Sequence, residues 1–557
     1  MNKFKLNIIA LVLGGLTLAS CAESFLDVES KTSSNTGNFY KSKDDAELAL
    51  IGCYNAWKRT TSDDTWGFYI CSELMADECL AGTGVTDAPN YQVVDRFDIG
   101  RYSAGTSLLE TSWDSYYRAI YRCNEILKYE AMGQFEWAGD ETARGRLIGQ
   151  CRVIRALCYF DMVRLWENIP LLTEPTDQNV PQSDPHAVYA TIVEDLKYAI
   201  ENIPANAYPK AEASANDGRI TKYAAEALMA RVYLFYTGYY GKDLANVTKD
   251  EVVGYLDDII TSKEYKLLPE FKDLWPAASS VSQSAAEAWD AEKTTYKEIN
   301  DEVILQMKFN YTDDRYNTGG DVDGNRWLVM LGLRKFWYSP YAYGWGCCTV
   351  HPKIWNAYSA DDARRSASII DIAGEGIAAK TGFDEYLRDQ REYTGYAIKK
   401  YTPTCYYNGV SSVPEQTSTS AVQEKQYQPY IVLRYADVLL MAAELGGTPT
   451  KTAQDCLDEV RSRAKVPTGV APTKENIMKE RMLEFAFEGI RYWDLLRQGV
   501  DYAANEIAKS NLTVLSGNQE ESITIDAANI KDKRGLMQIP QNQITLSNGL
   551  LKQNTGW

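Results

Sequence analysis

Histidine is almost missing from this chain: His186 and His351 are the only two among 557 residues. Neither stands in an HExxH arrangement or beside a cysteine pair at zinc spacing, which excludes a hydrolase built on histidine-held metal. No GxSxG turn exists to present a serine nucleophile. Positive charge is also short. The 58 Lys and Arg face 76 Asp and Glu, a formal charge of −18 that becomes −20 once Lys3 and Lys5 of the leader are removed. A surface of that sign repels nucleic acid. Beyond the first residues there is no apolar run approaching the ~20 residues that cross a bilayer.

Two further motifs fall short. Gly374 to Thr381 comes within one residue of a phosphate-binding loop, but Ala379 occupies the position where glycine is needed. Asp321-Val322-Asp323-Gly324-Asn325 offers alternating oxygens, yet its glycine is misplaced and Gly332 stands where a calcium loop needs glutamate. It reads as a turn, and no metal or cofactor is expected. Paired carboxylates for glycoside cleavage have no sequence signature, because their separation is spatial.

What is present begins with a leader. Asn2-Lys3-Phe4-Lys5 is basic, Leu6 to Leu16 is apolar, and Leu18-Ala19-Ser20-Cys21 has the pattern of a bacterial lipoprotein cleavage site. Residues 1–20 are thus read as a signal peptide, Cys21 as the lipidated residue, and 21–38, rich in Ser and Thr, as a flexible tether. The other ten cysteines belong to an exported chain large enough not to need disulfides, so most are expected to be packed thiols.

The body, 39–557, is organised around residues 145–172. Leu147, Cys151, Ile154, Cys158, Met162 and Leu165 recur at steps of three and four, which predicts a helix with a buried face. Ala156, Phe160 and Val163 widen that face, predicting packing on two sides, and Pro170 ends the run. Other helices follow in pairs, over about 113–265 and again over 430–500: Trp113 to Glu130 with an opening helix, Ala187 to Asn202 with Lys222 to Tyr240, and Arg434 to Leu445 with Thr452 to Ala464. The start-to-start offset of the middle pair is near the ~34 residues of a tetratricopeptide unit. Between about 266 and 425 the pattern gives way to aromatics, glycines and short β-like runs, an insertion of the kind that carries binding.

Within it Trp327, Phe336, Trp337, Tyr338, Tyr341, Tyr343 and Trp345 crowd one short segment, interleaved with Gly, Pro and Ser. Flat rings suit the apolar faces of sugars. Either they form such a platform or they pack the insertion's own core. Trp66, Tyr69, Trp275 and Trp289 are secondary candidates.

Several stretches together resemble the SusD/RagB family of outer-membrane nutrient-binding lipoproteins. They are Arg155-Ala156 with Tyr159-Phe160, Arg164-Leu165-Trp166 and Ile169-Pro170-Leu171; Gly218-Arg219-Ile220-Thr221-Lys222 with Ala230-Arg231-Val232-Tyr233; Leu433 to Glu444; and Glu480-Arg481 with Glu484 to Arg491. Glu167-Asn168 replaces the family's usual Gly-Asp, and Gly549 and Thr555 replace prolines near the end. The resemblance implies a mostly α fold on a tetratricopeptide-like scaffold and a non-catalytic role. It implies capture of an oligosaccharide at the outer face of the outer membrane and delivery to a SusC-type TonB-dependent transporter. A peptide-binding family member and a surface glycoside hydrolase are the alternatives. Glu480, Arg481, Glu484 and Glu488 at helical spacing read as structural ion pairs before they read as an acid array.

Overall fold

A computed structural model of the protein describes residues 39–62, 67–101, 106–212, 218–280, 294–309, 324–405 and 428–557. The leader, Cys21, the tether, Trp66, Trp289 and residues 321–323 lie outside these. The described chain is mostly α. Helices α1 (Lys43–Ser62), α2 (Glu110–Ala131), α3 (Glu141–Trp166), α4 (Pro185–Asn202), α5 (Lys222–Tyr240) and α6 (Lys249–Ser262) each pack on the next. The run continues through α7 (Tyr435–Glu444), which receives both α8 (Ala453–Arg463) and α9 (Lys474–Glu484). The three pairs expected from the sequence are all present.

Helix α3 is buried on nearly every side, as its widened apolar arc predicts. Its start is capped by Asp140, whose carboxylate accepts from the Ala143 amide. The Asp184-Pro185 pair opens α4 in the same way, the carboxylate accepting from the His186 amide. Helix α3 closes at Trp166, and the chain turns through Glu167 at a φ of 59°. Here the departure from the family pattern has a partner. The Arg534 guanidinium meets both oxygens of Glu167 at 2.6 and 2.7 Å, and the Trp166 indole donates to the Gln538 carbonyl at 2.9 Å.

The acidic stretch of α9 is a buried ion network. Arg434 holds Glu488 with two hydrogen bonds, at 2.8 and 2.9 Å, and reaches Glu302 at 2.8 Å and Glu484 at 2.5 Å. Lys400 reaches Glu488 at 2.7 Å, Arg364 reaches Glu480 at 2.6 Å, and Arg481 joins Asp437 to Asp494. Burial alone would raise the Glu484 pKa. The guanidiniums of Arg463, Arg434 and Arg364 outweigh it and hold the carboxylate well below its usual range. These acids are structural. The turn after α9 is fixed from outside: Gly489, at a φ of 73°, donates its amide to Glu73 at 2.6 Å, and a Cβ there would sit 3.0 Å from the Tyr430 hydroxyl.

Residues 266–405 are not a separate layer. Val303–Met307 pairs antiparallel with Tyr430–Arg434 inside the main core. A second, smaller core gathers Phe336, Tyr341, Ile370, Ile372, Ile377, Phe383 and Tyr386. Beside it Leu333–Arg334 runs parallel to Tyr343–Gly344, and Cys79–Gly82 pairs antiparallel with Cys347–Val350. Gly332 and Gly344 face each other so closely that a Cβ on Gly332 would lie 2.9 Å from the Gly344 Cα. The glycines of the aromatic segment therefore mark tight backbone packing, where the sequence suggests an open loop. All ten described cysteines are buried free thiols.

Candidate functional site

The structure divides the predicted rings into three groups. Trp327 is fully buried in the main core, its ring 4.2 Å from that of Tyr69 and edge-on to Tyr401 and Tyr430. Tyr69 itself donates to the Phe487 carbonyl at 2.9 Å, and Trp275 is buried beneath Lys400. Tyr341 is buried in the smaller core, with its hydroxyl donating to Glu375 at 2.5 Å. None of these four presents a ring face to solvent, so the platform reading is withdrawn for Trp327, Tyr341, Tyr69 and Trp275. The physical reason is common to all four: neighbouring rings or cations cover them on the inside of the fold.

Tyr338 is half-buried and leans on the smaller core. Trp337, Tyr343 and Trp345 are also half-buried, and they line two clefts. One cleft, of about 440 Å³, is bounded by Trp337, Phe336, Tyr386, Lys380, Glu385 and Arg388. The other, of about 530 Å³, is bounded by Tyr343, Trp345, Arg334, Asp87, Asn90 and Thr83. Lys335 lines both. Lys335 pairs with Asp389 of the first cleft at 2.9 Å.

Three chain segments build these walls. Residues 333–345 supply the rings, 380–389 one wall and 83–91 the other. The strand pairing of Gly82 with Cys347 brings 83–91 into place, and the Arg334 guanidinium clamps the walls, 3.0 Å from Asp87 and 3.0 Å from Asp389. Sequence reasoning misses Arg334, Lys335, Lys380, Asp389, Asp87 and Asn90. Charged and amide groups are common on any surface, and only the fold sets them beside the rings.

The chemistry here suits recognition. Amide, hydroxyl, carboxylate and guanidinium groups beside indole faces match the alternating polar edges and apolar faces of sugars. Asp389 is poorly suited to acid catalysis, because it accepts from both Arg334 and Lys335. Burial would raise its pKa, but those two cations prevail and keep its carboxyl below the ordinary range. Lys380, in the near-miss of a phosphate loop, instead turns its ammonium onto the Trp337 ring. Elsewhere, a narrow pocket of about 60 Å³ between Phe160, Arg164, Arg231 and Trp493 is too small for a sugar.

A helical-repeat body carrying paired aromatic clefts on one short segment has the build of a binding protein. Comparison places it further. A family model described as "SusD family" matches residues 301–557, and one described as "Starch-binding associating with outer membrane" matches residues 88–234. The chain belongs to the SusD/RagB family. "SusD-like protein P38" from Formosa agariphila is 23% identical over 533 residues, covering 89% of this chain and 92% of its own. A solved structure described as "Laminarin binding SusD-like protein" is 25% identical with a TM-score of 0.67, covering 93% of this chain and all of its own. Surface glycan-binding protein A from Bacteroides thetaiotaomicron, solved in complex with laminarihexaose, is 23% identical with a TM-score of 0.70, covering 92% of this chain and all of its own. No described helix is long and apolar enough to cross a membrane.

Proposed function

We propose that this chain captures an oligosaccharide in the clefts lined by Trp337, Tyr343 and Trp345, without cleaving it. It is held to the outer face of the outer membrane by lipid on Cys21 and passes its cargo to a SusC-type TonB-dependent transporter. The observation that carries the glycan reading is the pair of adjoining clefts, about 440 and 530 Å³, with half-exposed rings and polar walls. They are wide enough for several sugar units in a row. A laminarin-binding relative with the same fold supports a β-glucan as the first ligand to try. The leader and cleavage pattern support the anchor, and family membership supports the transporter. Calorimetric titration of the purified chain with laminarin, starch and xylan oligosaccharides tests the reading. One of them is expected to bind and to keep its chain length on prolonged incubation. Release of shorter products would favour the hydrolase, and binding of peptides alone the peptide-capture alternative.

A further inference from the structure

In the helical scaffold, among residues that line neither cleft, helices α1, α2 and α3 each contribute one cysteine to a common point. Cys53, Cys123 and Cys151 are fully buried, and their sulfur atoms all lie within 4.8 Å of one another. Three sulfurs bound to one ion at about 2.3 Å stand about 4 Å apart. The triangle therefore needs only a small contraction to close on a metal. We propose that Cys53, Cys123 and Cys151 form a three-sulfur site for a soft, thiophilic monovalent ion of the copper(I) class.

Donor number and charge select the ion. The cluster holds three sulfurs, and among the described residues no histidine, carboxylate or further cysteine joins it. Structural zinc takes four protein ligands, and catalytic zinc takes water as its fourth. A fully buried triangle provides neither. Copper(I) prefers soft sulfur and is satisfied by two or three thiolates, while hard ions such as magnesium or calcium need oxygen. Positive charge stands nearby to offset the thiolates. Arg152 and Arg155, one and four residues beyond Cys151, both converge on the single carboxylate of Asp195, at 2.9 and 2.8 Å. Arg155, the nearer of the two guanidiniums in helical spacing, also donates to Asn124 beside Cys123 at 2.8 Å. On the opposite side Arg122 donates to the Gly52 carbonyl at 2.8 Å, beside Cys53.

Rigid helices hold each donor, so the site needs no loop to close over it. Cys347 and Cys348 make a natural control. Their sulfurs are 3.6 Å apart, but they are adjacent in sequence and lie on a different element.

The mature chain, reduced and kept free of oxygen, is titrated with copper(I) in acetonitrile against bicinchoninate as competing chelator. The expected result is one tightly held ion per chain, an X-ray absorption spectrum showing a sulfur-only shell, and a higher melting temperature, since the ion binds the folded state. Cys53→Ser and Cys151→Ser should each weaken binding by about a hundredfold or more and abolish the thermal shift. The Cys347→Ser/Cys348→Ser double variant should keep both. Should a trio variant not fold, alkylation of the wild-type chain in enough denaturant to open the buried thiols decides: copper should shield Cys53, Cys123 and Cys151 from labelling ahead of Cys405 and Cys456. Absence of tight binding by the wild type, equal loading of the trio variants, loss only in the Cys347/Cys348 variant, unshielded trio cysteines, or a disulfide between two of the three in protein recovered from cells would each overturn the proposal.

Discussion

The ammonium of Lys380 lies 3.0 Å from the centre of the Trp337 ring and donates to the carbonyl of the same residue. One ring face is thereby occupied by a cation, so a sugar must approach the other. Burial pushes the lysine from its ordinary 10.5 down to about 8. As pH rises through that value the cation over the indole is lost. Tryptophan emission is expected to change with a midpoint near pH 8, and the change should be smaller in both Lys380→Met and Trp337→Phe, where only Lys400 over Trp275, also lowered by burial to about 8, still contributes. A transition that survives undiminished in either variant belongs to another group.

Rings at the clefts and rings in the core should answer truncation differently. Trp345→Ala and Trp337→Ala are expected to weaken glycan affinity by about 1–3 kcal/mol while the melting point barely moves. Trp327→Ala, opening a void among Tyr69, Tyr401 and Tyr430, should cost about 3–5 kcal/mol of stability. Titrations and melts on the same three proteins check both halves.

Arg434 sits among three carboxylates, and removing it strands Glu302, Glu484 and Glu488 away from water. Arg434→Met is expected to lower stability by about 3–5 kcal/mol, read from the denaturant midpoint. A loss under about 1 kcal/mol would show that Arg463, Arg364 and Lys400 compensate for it.

His351 predicts one part of the acid response. Its Nδ1 accepts from the Lys353 amide at 3.0 Å, and its Nε2 donates to the Ser510 carbonyl at 3.1 Å. Burial, helped by the Lys353 charge, lowers its pKa from 6.5 to about 4. The unfolded chain therefore takes up this proton first. Its stabilising contribution is complete above pH 6.5 and is lost as pH falls toward 4. Asp77, held low by Arg491 and Lys353 despite burial, is lost only below its unfolded value of 3.8. In His351→Asn the side chain still caps the following helix and no longer titrates. Its melting temperature should fall less steeply between pH 6.5 and 4 than that of the wild type.

Cys21→Ala should take the protein out of the membrane pellet, because it removes the residue that carries the proposed lipid anchor. Retention in the membrane pellet of cells lacking the transporter would remove the anchor assignment.

The scaffold is legible where one face of a helix is apolar and the ends carry caps. Cys151, Cys158 and Met162 recur at helical spacing, and Asp184-Pro185 marks a start, so α3 and α4 can be read directly. Family segments are legible for a related reason: Arg434, Glu484 and Gly489 are fixed by buried contacts that tolerate little change. The site is less so. Trp327 and Trp345 look alike in a string of letters, and what separates them is whether Tyr69 and Tyr401 or open space lies against the ring. That is decided by partners distant in the chain on either side. The glycines between the rings mislead for a similar reason, because a residue without a side chain serves an open turn and a crowded backbone crossing equally well.

The three-walled build of the clefts bears on how such a protein acquires new prey. Rings, clamp and outer wall come from segments 83–91, 333–345 and 380–389, and each rests on its own strand or short helix. A substitution at the cleft-facing rings Trp337, Tyr343 or Trp345 spares the Arg334 clamp to Asp87 and Asp389 that ties the walls together. Ligand preference can therefore drift at the ring positions, while the clamp and the helical scaffold stay as they are.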